Sequence, residues 1–237
     1  MKCRRLLKYG HAVVEQPPQA VGMLADLVRL RPTVPALLAP QEVPDEALVG
    51  TPCAVPTAAA GVRALGPELP DTVTVIGAGA VGCSTIGMLA DAGVKVGVIE
   101  PQAQRRVAAE DWGAAPVDAI APDAGGIIDA SGSATAVQAA ITAAPIGTRV
   151  VLLGSVCPGR EHITVDPAAI VRNRLQILGI HNYAPEDVIA AVDWLATRGA
   201  AAPHLVADPF ALSEIDAAFE AAFAGVAGRI GVRPDGR

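Results

Sequence analysis

The chain has 237 residues, of which 51% are hydrophobic, 18% are charged and 3% are aromatic, and its formal net charge is −6. This apolar content excludes a largely disordered protein, and the length suits one large domain, or one domain and a fragment, around an aliphatic core. The negative charge argues against a nucleic-acid-binding protein, because such proteins need a concentrated basic face to bind phosphates.

The first seventy residues differ in pattern from the rest of the chain, because prolines recur throughout them and exclude long regular elements. Leu24–Arg31 is predicted to be a strand, and Asp45–Val49 and Ala58–Leu65 are predicted to be short helices. This segment cannot form a core of normal size by itself. We therefore predict that residues 1–70 are part of one domain and that residues 71–237 form another.

From Asp71 onwards, strand and helix patterns alternate. Such alternation is typical of a parallel sheet covered by helices on both faces, so the predicted fold class is α/β, with a doubly wound sheet of the Rossmann type. The predicted strands are Thr72–Ile76, Lys95–Ile99, Pro116–Ile120, Gly126–Asp129, Arg149–Leu153, Leu175–Ile180, Leu205–Asp208 and Arg229–Val232. The predicted helices are Ala80–Ala92, Gln104–Trp112, Ala134–Ala144, Ala168–Arg174, Pro185–Arg198 and Glu214–Phe223.

The third predicted strand raises a topological problem. Only the segment from Ala121 to Gly125 separates it from the fourth strand. In a doubly wound sheet the third strand lies at one edge and the fourth lies beyond the first, and a parallel crossover normally needs a dozen or more residues. We therefore expect a shortened or irregular edge at this position.

Two features bear on the environment of the protein. The stretch from Thr72 to Ala90 has no charged residue and is long enough to span a bilayer, but its glycines and serine between Gly77 and Ser84 favour a strand, a turn and a helix. We therefore expect no membrane association. The four cysteines form no CxxC pair, and free thiols are typical of the reducing cytoplasm, where we place the protein.

The segment Gly77-Ala78-Gly79-Ala80-Val81-Gly82 is a GxGxxG motif that follows a β-branched strand and opens a helix. This context is the one expected of a dinucleotide-binding motif. Gly77 permits the tight turn, Gly79 lets the backbone approach a pyrophosphate, and Gly82 lets the helix pack closely on the strand. The first helical residues, Ala80 and Val81, then offer backbone N–H groups to the phosphates. The alternative is a glycine turn that binds nothing.

Glu100 follows the second strand, eighteen residues after Gly82. A carboxylate at this position accepts hydrogen bonds from the adenosine ribose and repels a 2′-phosphate, so the expected cofactor is NAD rather than NADP. Arg105 lies within reach of the same ribose. The alternative for Glu100 is a solvated acid at the end of a strand, and the alternative for Arg105 is a solvated charge at the start of a helix.

Two further turns follow predicted strands, at the edge of the sheet where open α/β proteins bind ligands. One contains Ser131, Gly132 and Ser133, and the other contains Gly154 and Ser155. Small residues at these positions leave room for the part of the cofactor between adenosine and nicotinamide. Ordinary loop chemistry explains them equally well.

From Thr72 to Pro234 the chain resembles the cofactor domain of the medium-chain, zinc-type alcohol dehydrogenases. The resemblance rests on the glycine motif, Glu100 and three further segments, namely Asp129-Ala-Ser-Gly132, Val150-Val-Leu-Leu-Gly154 and Gly228-Arg-Ile-Gly-Val-Arg-Pro234. Residues 2–70 resemble the end of the family's β-rich, GroES-like catalytic domain, so a remnant of that domain is expected at the N-terminus. Lys8-Tyr-Gly-His11 and Gly179-Ile-His-Asn-Tyr183 are similar to a branch of dehydrogenases associated with phosphonate metabolism.

The resemblance implies an NAD-dependent enzyme that interconverts alcohols and aldehydes, with zinc as the family's Lewis acid. Cys53 and Thr57 stand where the family has its third catalytic zinc ligand and a threonine near the nicotinamide. The family's other catalytic ligands precede the part that this chain matches, as in an N-terminally truncated member, and Cys3 resembles the last of four structural zinc ligands. A catalytic zinc needs three protein ligands, so neither zinc site is expected to be complete. The alternative for Cys53 is a buried structural thiol, and packing is expected for Cys83 and Cys157.

The histidines His11, His162, His181 and His204 show no metal-ligand spacing. His181 and Tyr183 follow the sixth strand of the sheet, where they could relay a proton, although a histidine that only forms a hydrogen bond is the simpler interpretation. By resemblance the protein is expected to be a homodimer, paired through the sheet edge, that acts on a small alcohol or aldehyde. The alternatives are an NAD(H)-binding module without catalysis and a partner for a full-length relative.

Overall fold

A six-stranded parallel sheet forms the centre of the structure, a computed structural model that describes residues 24–28, 30, 37–41, 43–154, 162–198, 207–225 and 229–234. Its strands are β1 (Thr72–Ile76), β2 (Lys95–Ile99), β3 (Ala114–Pro116), β4 (Gly126–Asp129), β5 (Arg149–Leu152) and β6 (Gln176–Gly179). The strand order is β3-β2-β1-β4-β5-β6, the doubly wound order that the alternating pattern predicts. The α/β fold class is therefore confirmed.

Helices cover both faces of this sheet. The helices of the described residues are α1 (Asp45–Leu48), α2 (Ala54–Ala64), α3 (Ala80–Asp91), α4 (Ala103–Asp111), α5 (Ala134–Ala143), α6 (Pro167–Arg172), α7 (Pro185–Arg198) and α8 (Ile215–Ala224). Of these, α8 packs on a separate small sheet and α1 packs on α7. Two hydrophobic clusters fill the space between the layers, and β1 contributes Val73 and Val75 to one and Ile76 to the other. All five residues of β1 are buried because the strand lies in the middle of the sheet with helices on both sides.

The strand order reverses at β1, and this reversal places the ligand-binding crevice of the fold. β1 pairs with β2 on one side and with β4 on the other. The chain leaves β1 towards the β3 edge and later returns to the opposite side of β1. In open α/β sheets the crevice outside the carboxyl ends of the strands at such a switch point is where ligands bind.

The third strand is shorter and earlier than predicted. The sequence pattern predicted Pro116–Ile120, whereas the structure has the three-residue strand Ala114–Pro116 at the sheet edge, paired with β2. The predicted range is therefore wrong, and the expected shortened edge is confirmed. Ending the strand at Pro116 leaves more chain for the return to β4, which solves the crossover problem.

The helix before β1 also differs from the prediction. It begins at Ala54 rather than Ala58 and includes Pro56. Proline is tolerated there because the first-turn N–H groups of a helix have no partner within the helix. The predicted strand Leu24–Arg31 is wrong for its described residues, 24–28 and 30, which are not in a strand.

The end of the chain forms a small βαβ unit. β7 (Ala207–Ala211) and β8 (Ile230–Arg233) pair in parallel, with α8 between them, and the pairing is irregular between Ala207 and Phe210. The predicted strand Leu205–Asp208 begins outside the described residues, and the observed strand extends past it. β8 is bound to α1 through an ion pair between Arg233 and Glu46.

An ion pair joins α2 to the start of α7. The Nε and Nη2 atoms of Arg63 each donate a hydrogen bond of 2.8 Å to the carboxylate of Asp187. The same carboxylate accepts the N–H of Ala184 at 2.7 Å, and Asp187 is buried. Val55 of α2 and Leu65, which follows the helix, belong to the same core cluster as Val73 and Val75 of β1. The division of the chain at residue 70 stays a prediction.

We predict that Asp187→Asn makes folding less sensitive to acid. Burial opposes ionisation of Asp187, but hydrogen bonds from Arg63 and Ala184 outweigh it and hold the pKa below its ordinary value of 3.8. A lowered pKa stabilises the fold above the pKa of the unfolded chain, and this stabilisation is lost as the pH falls through the folded-state pKa. At neutral pH we expect the variant to be less stable by roughly 1–3 kcal/mol.

Urea unfolding across a pH series measures this difference. The gap between the wild type and the variant should be constant near neutral pH and should narrow below about pH 4. A gap that stays constant into strong acid would contradict the role assigned to the Arg63–Asp187 pair.

Candidate functional site

The turn between β1 and α3 is built on two glycines that the backbone itself requires. Gly77 has a φ of +90°, a conformation that favours glycine. A Cβ atom on Gly82 would lie 2.0 Å from the carbonyl oxygen of Gly77, so no larger residue fits there. The close approach brings the start of α3 directly onto the end of β1.

Gly79 differs from these two glycines because nothing within the chain requires it. Its φ and ψ of −78° and −170° are open to any residue. A Cβ atom at this position would meet no atom within 4 Å. Gly79 therefore borders open space at the N-terminus of α3, which is what a backbone that receives a ligand needs.

The N-terminus of α3 has no side-chain cap. Two other helices are capped: the Ser133 hydroxyl accepts the N–H of Ala136 at the start of α5, and Asp166 accepts the N–H of Ala168 at the start of α6. The first N–H groups of a helix need partners and carry partial positive charge. The first turn of α3 is therefore suited to an anionic group beside Gly79.

Glu100 lies beside this turn as a buried carboxylate, with 7% of its surface exposed. Its Oε2 atom accepts the N–H of Ala78 at 2.8 Å, and its Oε1 atom accepts the N–H of Gln102 at 2.9 Å. The carboxylate is thus fixed by the glycine turn on one side and by the start of α4 on the other. The interpretation of Glu100 as a solvated strand-end acid is not supported by this burial.

The two arginines of α4 have different surroundings. The guanidinium of Arg106 donates 2.8 Å hydrogen bonds to the carbonyl oxygens of Glu100 and Pro101 and so holds the corner after β2. Arg105 is half-buried, and its Nη2 atom lies 3.6 Å from where a Cβ atom on Gly225 would be. The placement of Arg105 near the ribose stays a prediction, whereas the role of Arg106 at this corner was not predicted from the sequence, because only the rotation of α4 distinguishes the two neighbours.

The turns after β4 and β5 meet each other next to the β1 turn. A Cβ atom on Gly132 would lie 2.6 Å from the Gly154 carbonyl oxygen, and one on Gly154 would lie 2.2 Å from the Gly132 nitrogen. A Cβ atom on Gly77 would lie 2.9 Å from the nitrogen of Ser131. The structure therefore brings the predicted residues Ser131, Gly132 and Gly154 together with the glycine motif, as the floor of one crevice.

Cys83 lies near the start of α3, in the same core cluster as Val73 and Val75 of β1. Its thiol is buried and donates to the carbonyl oxygen of Ala78 at 3.4 Å. Burial, with a further contribution from Glu100, raises the pKa of the thiol to about 11. The thiol is therefore neutral at physiological pH, which confirms the expectation that Cys83 contributes packing rather than chemistry.

Cys53 lies immediately before α2 and is exposed, so the alternative prediction of a buried thiol is wrong. The Thr57 hydroxyl donates to the Cys53 carbonyl oxygen at 2.7 Å. The Tyr183 hydroxyl, from the loop after β6, donates to the Pro52 carbonyl oxygen. Burial and the neighbouring Cys53 raise the pKa of Tyr183, which keeps the phenol protonated. The structure thus brings Cys53 and Thr57 near the loop that contains His181, a neighbourhood that the sequence did not predict.

The described residues do not offer zinc a ligand set. Within the described ranges, no group of three or more His, Cys, Asp and Glu side chains is placed to hold a metal ion. Cys53 is the predicted remnant of such a set. Cys3, His11, Cys157 and His204 lie outside the described residues.

Solved structures with this fold include three dehydrogenases. An alcohol dehydrogenase from Thermotoga maritima has a TM-score of 0.76 and 19% identity over 84% of this chain and 60% of its own. A putative zinc-binding dehydrogenase from Sinorhizobium meliloti, bound to NADP, has a TM-score of 0.67 and 26% identity, over 76% of this chain and 56% of its own. An alcohol dehydrogenase from E. coli CFT073, complexed with NADH, has a TM-score of 0.69 and 23% identity, over 84% of this chain and 62% of its own.

This chain spans about three fifths of the length of those structures, which share its fold. No protein-family model matches the sequence, and no curated protein matches it. In the part of the chain that the structure describes, no helix is both long and apolar enough to cross a membrane.

We predict that Gly79→Val abolishes dinucleotide binding and leaves the fold intact. A Cβ atom at Gly79 meets no atom within 4 Å and the backbone there suits any residue, so the change before α3 should cost only about 1 kcal/mol of stability. The same side chain would occupy the space of a phosphate bound to α3. The NADH affinity tests the predicted loss of binding, and the melting temperature tests whether the fold stays intact.

Ala139→Val is the matched control, because it adds similar bulk on an exposed face of α5. Its affinity should equal that of the wild type. Wild-type affinity in Gly79→Val would mean that the ligand lies elsewhere.

Proposed function

We propose that the chain binds NAD(H) in the crevice at the carboxyl ends of β1 and β4 and acts as an oxidoreductase of the alcohol dehydrogenase type. One observation carries the proposal: the uncapped N-terminus of α3 borders the open space at Gly79 and lies next to the buried carboxylate of Glu100. An anion site and a hydroxyl acceptor are thereby side by side, as an adenosine diphosphate moiety needs. The dehydrogenase neighbours, one of them complexed with NADH, support it.

Each part of the crevice has a distinct task in this proposal. The N–H groups of the first α3 turn bind the pyrophosphate, and Glu100 accepts the hydroxyl groups of the adenosine ribose. Because Glu100 is already fixed by Ala78 and Gln102, it need not reorganise when the cofactor binds. A 2′-phosphate would be placed against a buried negative charge, which favours NAD over NADP.

Bound NAD supplies the hydride chemistry, accepting a hydride from an alcohol or returning it to an aldehyde. The chain contributes the rigid floor formed by the turns after β4 and β5. His181, in the loop beside Cys53 and Thr57, is the candidate for exchanging a proton with the substrate oxygen. Zinc takes no part in this proposal, since the described residues hold no set of three ligands for it.

Three further parts of the proposal concern the metabolic role, the oligomeric state and the location of the protein. A role in phosphonate metabolism rests on the two short segments Lys8–His11 and Gly179–Tyr183. The proposal of a homodimer rests on the position of β6 as the edge strand of the sheet, where a second copy could pair. A cytoplasmic location rests on the free thiols, of which Cys53 and Cys83 are described as unpaired.

An NAD(H)-binding module without catalysis is the second candidate, favoured by the incomplete zinc ligand set in the described residues. A turnover assay with NADH and a panel of alcohols and aldehydes separates the two candidates. Turnover of any member shows an enzyme. Tight NADH binding without turnover across the panel shows a binding module.

We predict that NADH binds at least tenfold more tightly than NADPH, a difference of about 1.4 kcal/mol or more. The physical reason is the repulsion between Glu100 and a 2′-phosphate. Glu100→Gln keeps the shape of the side chain and removes its charge, so the ratio of the two dissociation constants should narrow to within about threefold. Fluorescence titration of both cofactors gives the constants.

Glu110→Gln, on the exposed surface of α4, is the matched control and should keep the wild-type ratio. Equal dissociation constants for the two cofactors in the wild type would contradict the assignment of Glu100. Failure of the wild type to bind either cofactor would contradict the proposed function.

A further inference from the structure

A buried carboxylate lies at the end of β4 with no role so far. Asp129 is the last residue of this strand and has no exposed surface. It is paired in register with Ile76 of β1 and Leu152 of β5, so it lies at the switch point of the sheet. Burying a carboxylate is costly unless hydrogen bonds satisfy it, so its contacts indicate what the position is for.

The side chain of Asp129 organises the turn that follows it. Its Oδ1 atom accepts the hydroxyl of Ser131 at 2.6 Å, the N–H of Ser131 at 3.0 Å and the N–H of Gly132 at 3.3 Å. Its Oδ2 atom accepts the Gly132 N–H at 3.4 Å. The Ser131 hydroxyl oxygen in turn accepts the N–H of Ser133 at 3.1 Å. The carboxylate thus determines the path of all three residues of the turn.

The backbone of Asp129 holds the neighbouring turn. Its carbonyl oxygen accepts the N–H of Leu153 at 2.8 Å and the N–H of Gly154 at 3.1 Å. Because Gly132 and Gly154 touch backbone to backbone, the position of the first turn determines the space above both. One residue therefore positions the floor of the crevice on the β4 and β5 side.

The two carboxylates of the crevice lie on opposite sides of β1. Glu100 follows β2, whereas the turns held by Asp129 follow β4 and β5. A dinucleotide with its adenosine ribose at Glu100 and its pyrophosphate at the start of α3 has its second nucleoside over the β4 and β5 turns. The geometry thus assigns a different half of the ligand to each carboxylate.

We propose that Asp129 is a positioning residue for the nicotinamide half of the cofactor, acting through the turn 131–133. This inference rests on the proposed function. It predicts a difference between ligands that the proposed function alone does not predict. The affinity of a ligand that lacks the nicotinamide nucleoside should not depend on Asp129. ADP is such a ligand, since it carries the adenosine and the two phosphates alone.

The experiment compares the dissociation constants of NADH and ADP by calorimetry in the wild type, Asp129→Ala and Asp129→Asn. Asp129→Ala should raise the dissociation constant of NADH at least tenfold and that of ADP less than threefold. Asp129→Asn retains an oxygen in the Oδ1 position, which accepts the three shorter contacts, and should restore most of the NADH affinity. A residue that only stabilises the fold would change the melting temperature without changing the ratio of the two constants.

Thr148→Ala is the matched control, because Thr148 is equally buried and its hydroxyl bonds the Ala124 carbonyl at 2.8 Å beside the amino end of β5. It should lower the melting temperature and leave the NADH to ADP ratio unchanged. Should Asp129→Ala fail to fold, Ser131→Ala removes the two hydrogen bonds of the exposed Ser131 hydroxyl, to Asp129 and from Ser133, and should shift the ratio in the same direction.

Three results with the variants would overturn the inference. NADH and ADP could weaken equally, the ratio could stay at its wild-type value in both Asp129→Ala and Ser131→Ala, or Asp129→Asn could behave like the alanine variant. A wild type that binds ADP but gains nothing from the nicotinamide half would also refute it while leaving the dinucleotide site in place. Absence of binding by both ligands would instead refute the proposed function.

Discussion

The candidate site depends on the close approach of three backbone segments at the carboxyl ends of β1, β4 and β5. Cβ atoms at Gly82, Gly132 and Gly154 would each lie 2.0–2.6 Å from neighbouring backbone atoms, so side chains are excluded from these contacts. Without side chains between them, the first turn of α3 and the turn after β4 line one narrow crevice. Among the glycines of this crevice, Gly79 is one that no internal contact explains, and the crevice opens beside it.

The two ends of α2 show how the segment before β1 is joined to this framework. Near its end, Arg63 forms the ion pair with Asp187 at the start of α7. Near its beginning, Tyr183 bonds the carbonyl of Pro52, next to Cys53. The loop between β6 and α7 is thus held against α2 at two points, which places Cys53 and His181 in the same region of the molecule. This arrangement joins α2 to the region that follows the carboxyl end of β6, at the same edge of the sheet as the proposed cofactor crevice.

The sequence predicted the sheet well because its signals are local. β1 and β2 have the predicted bounds since β-branched runs end at glycine or charge, and the GxGxxG spacing predicted the turn before α3. Contacts between distant segments were not predictable. The hydrogen bonds of Arg106 at the corner after β2 depend on the rotation of α4, and the bonds from Leu153 and Gly154 to the Asp129 carbonyl oxygen depend on the meeting of two turns. The length of the crossover to β4 predicted a shortened edge strand, but not that β3 spans Ala114–Pro116.

The central claim is that the dinucleotide lies across the uncapped start of α3 and the turn after β4. Backbone amide hydrogen exchange with and without saturating NADH tests it most directly, because it reports on the N–H groups themselves. The account predicts slower exchange in segments 79–83 and 131–133, with no change in β7, which lies in a separate sheet. Unchanged exchange in segment 79–83 at saturating NADH would contradict it.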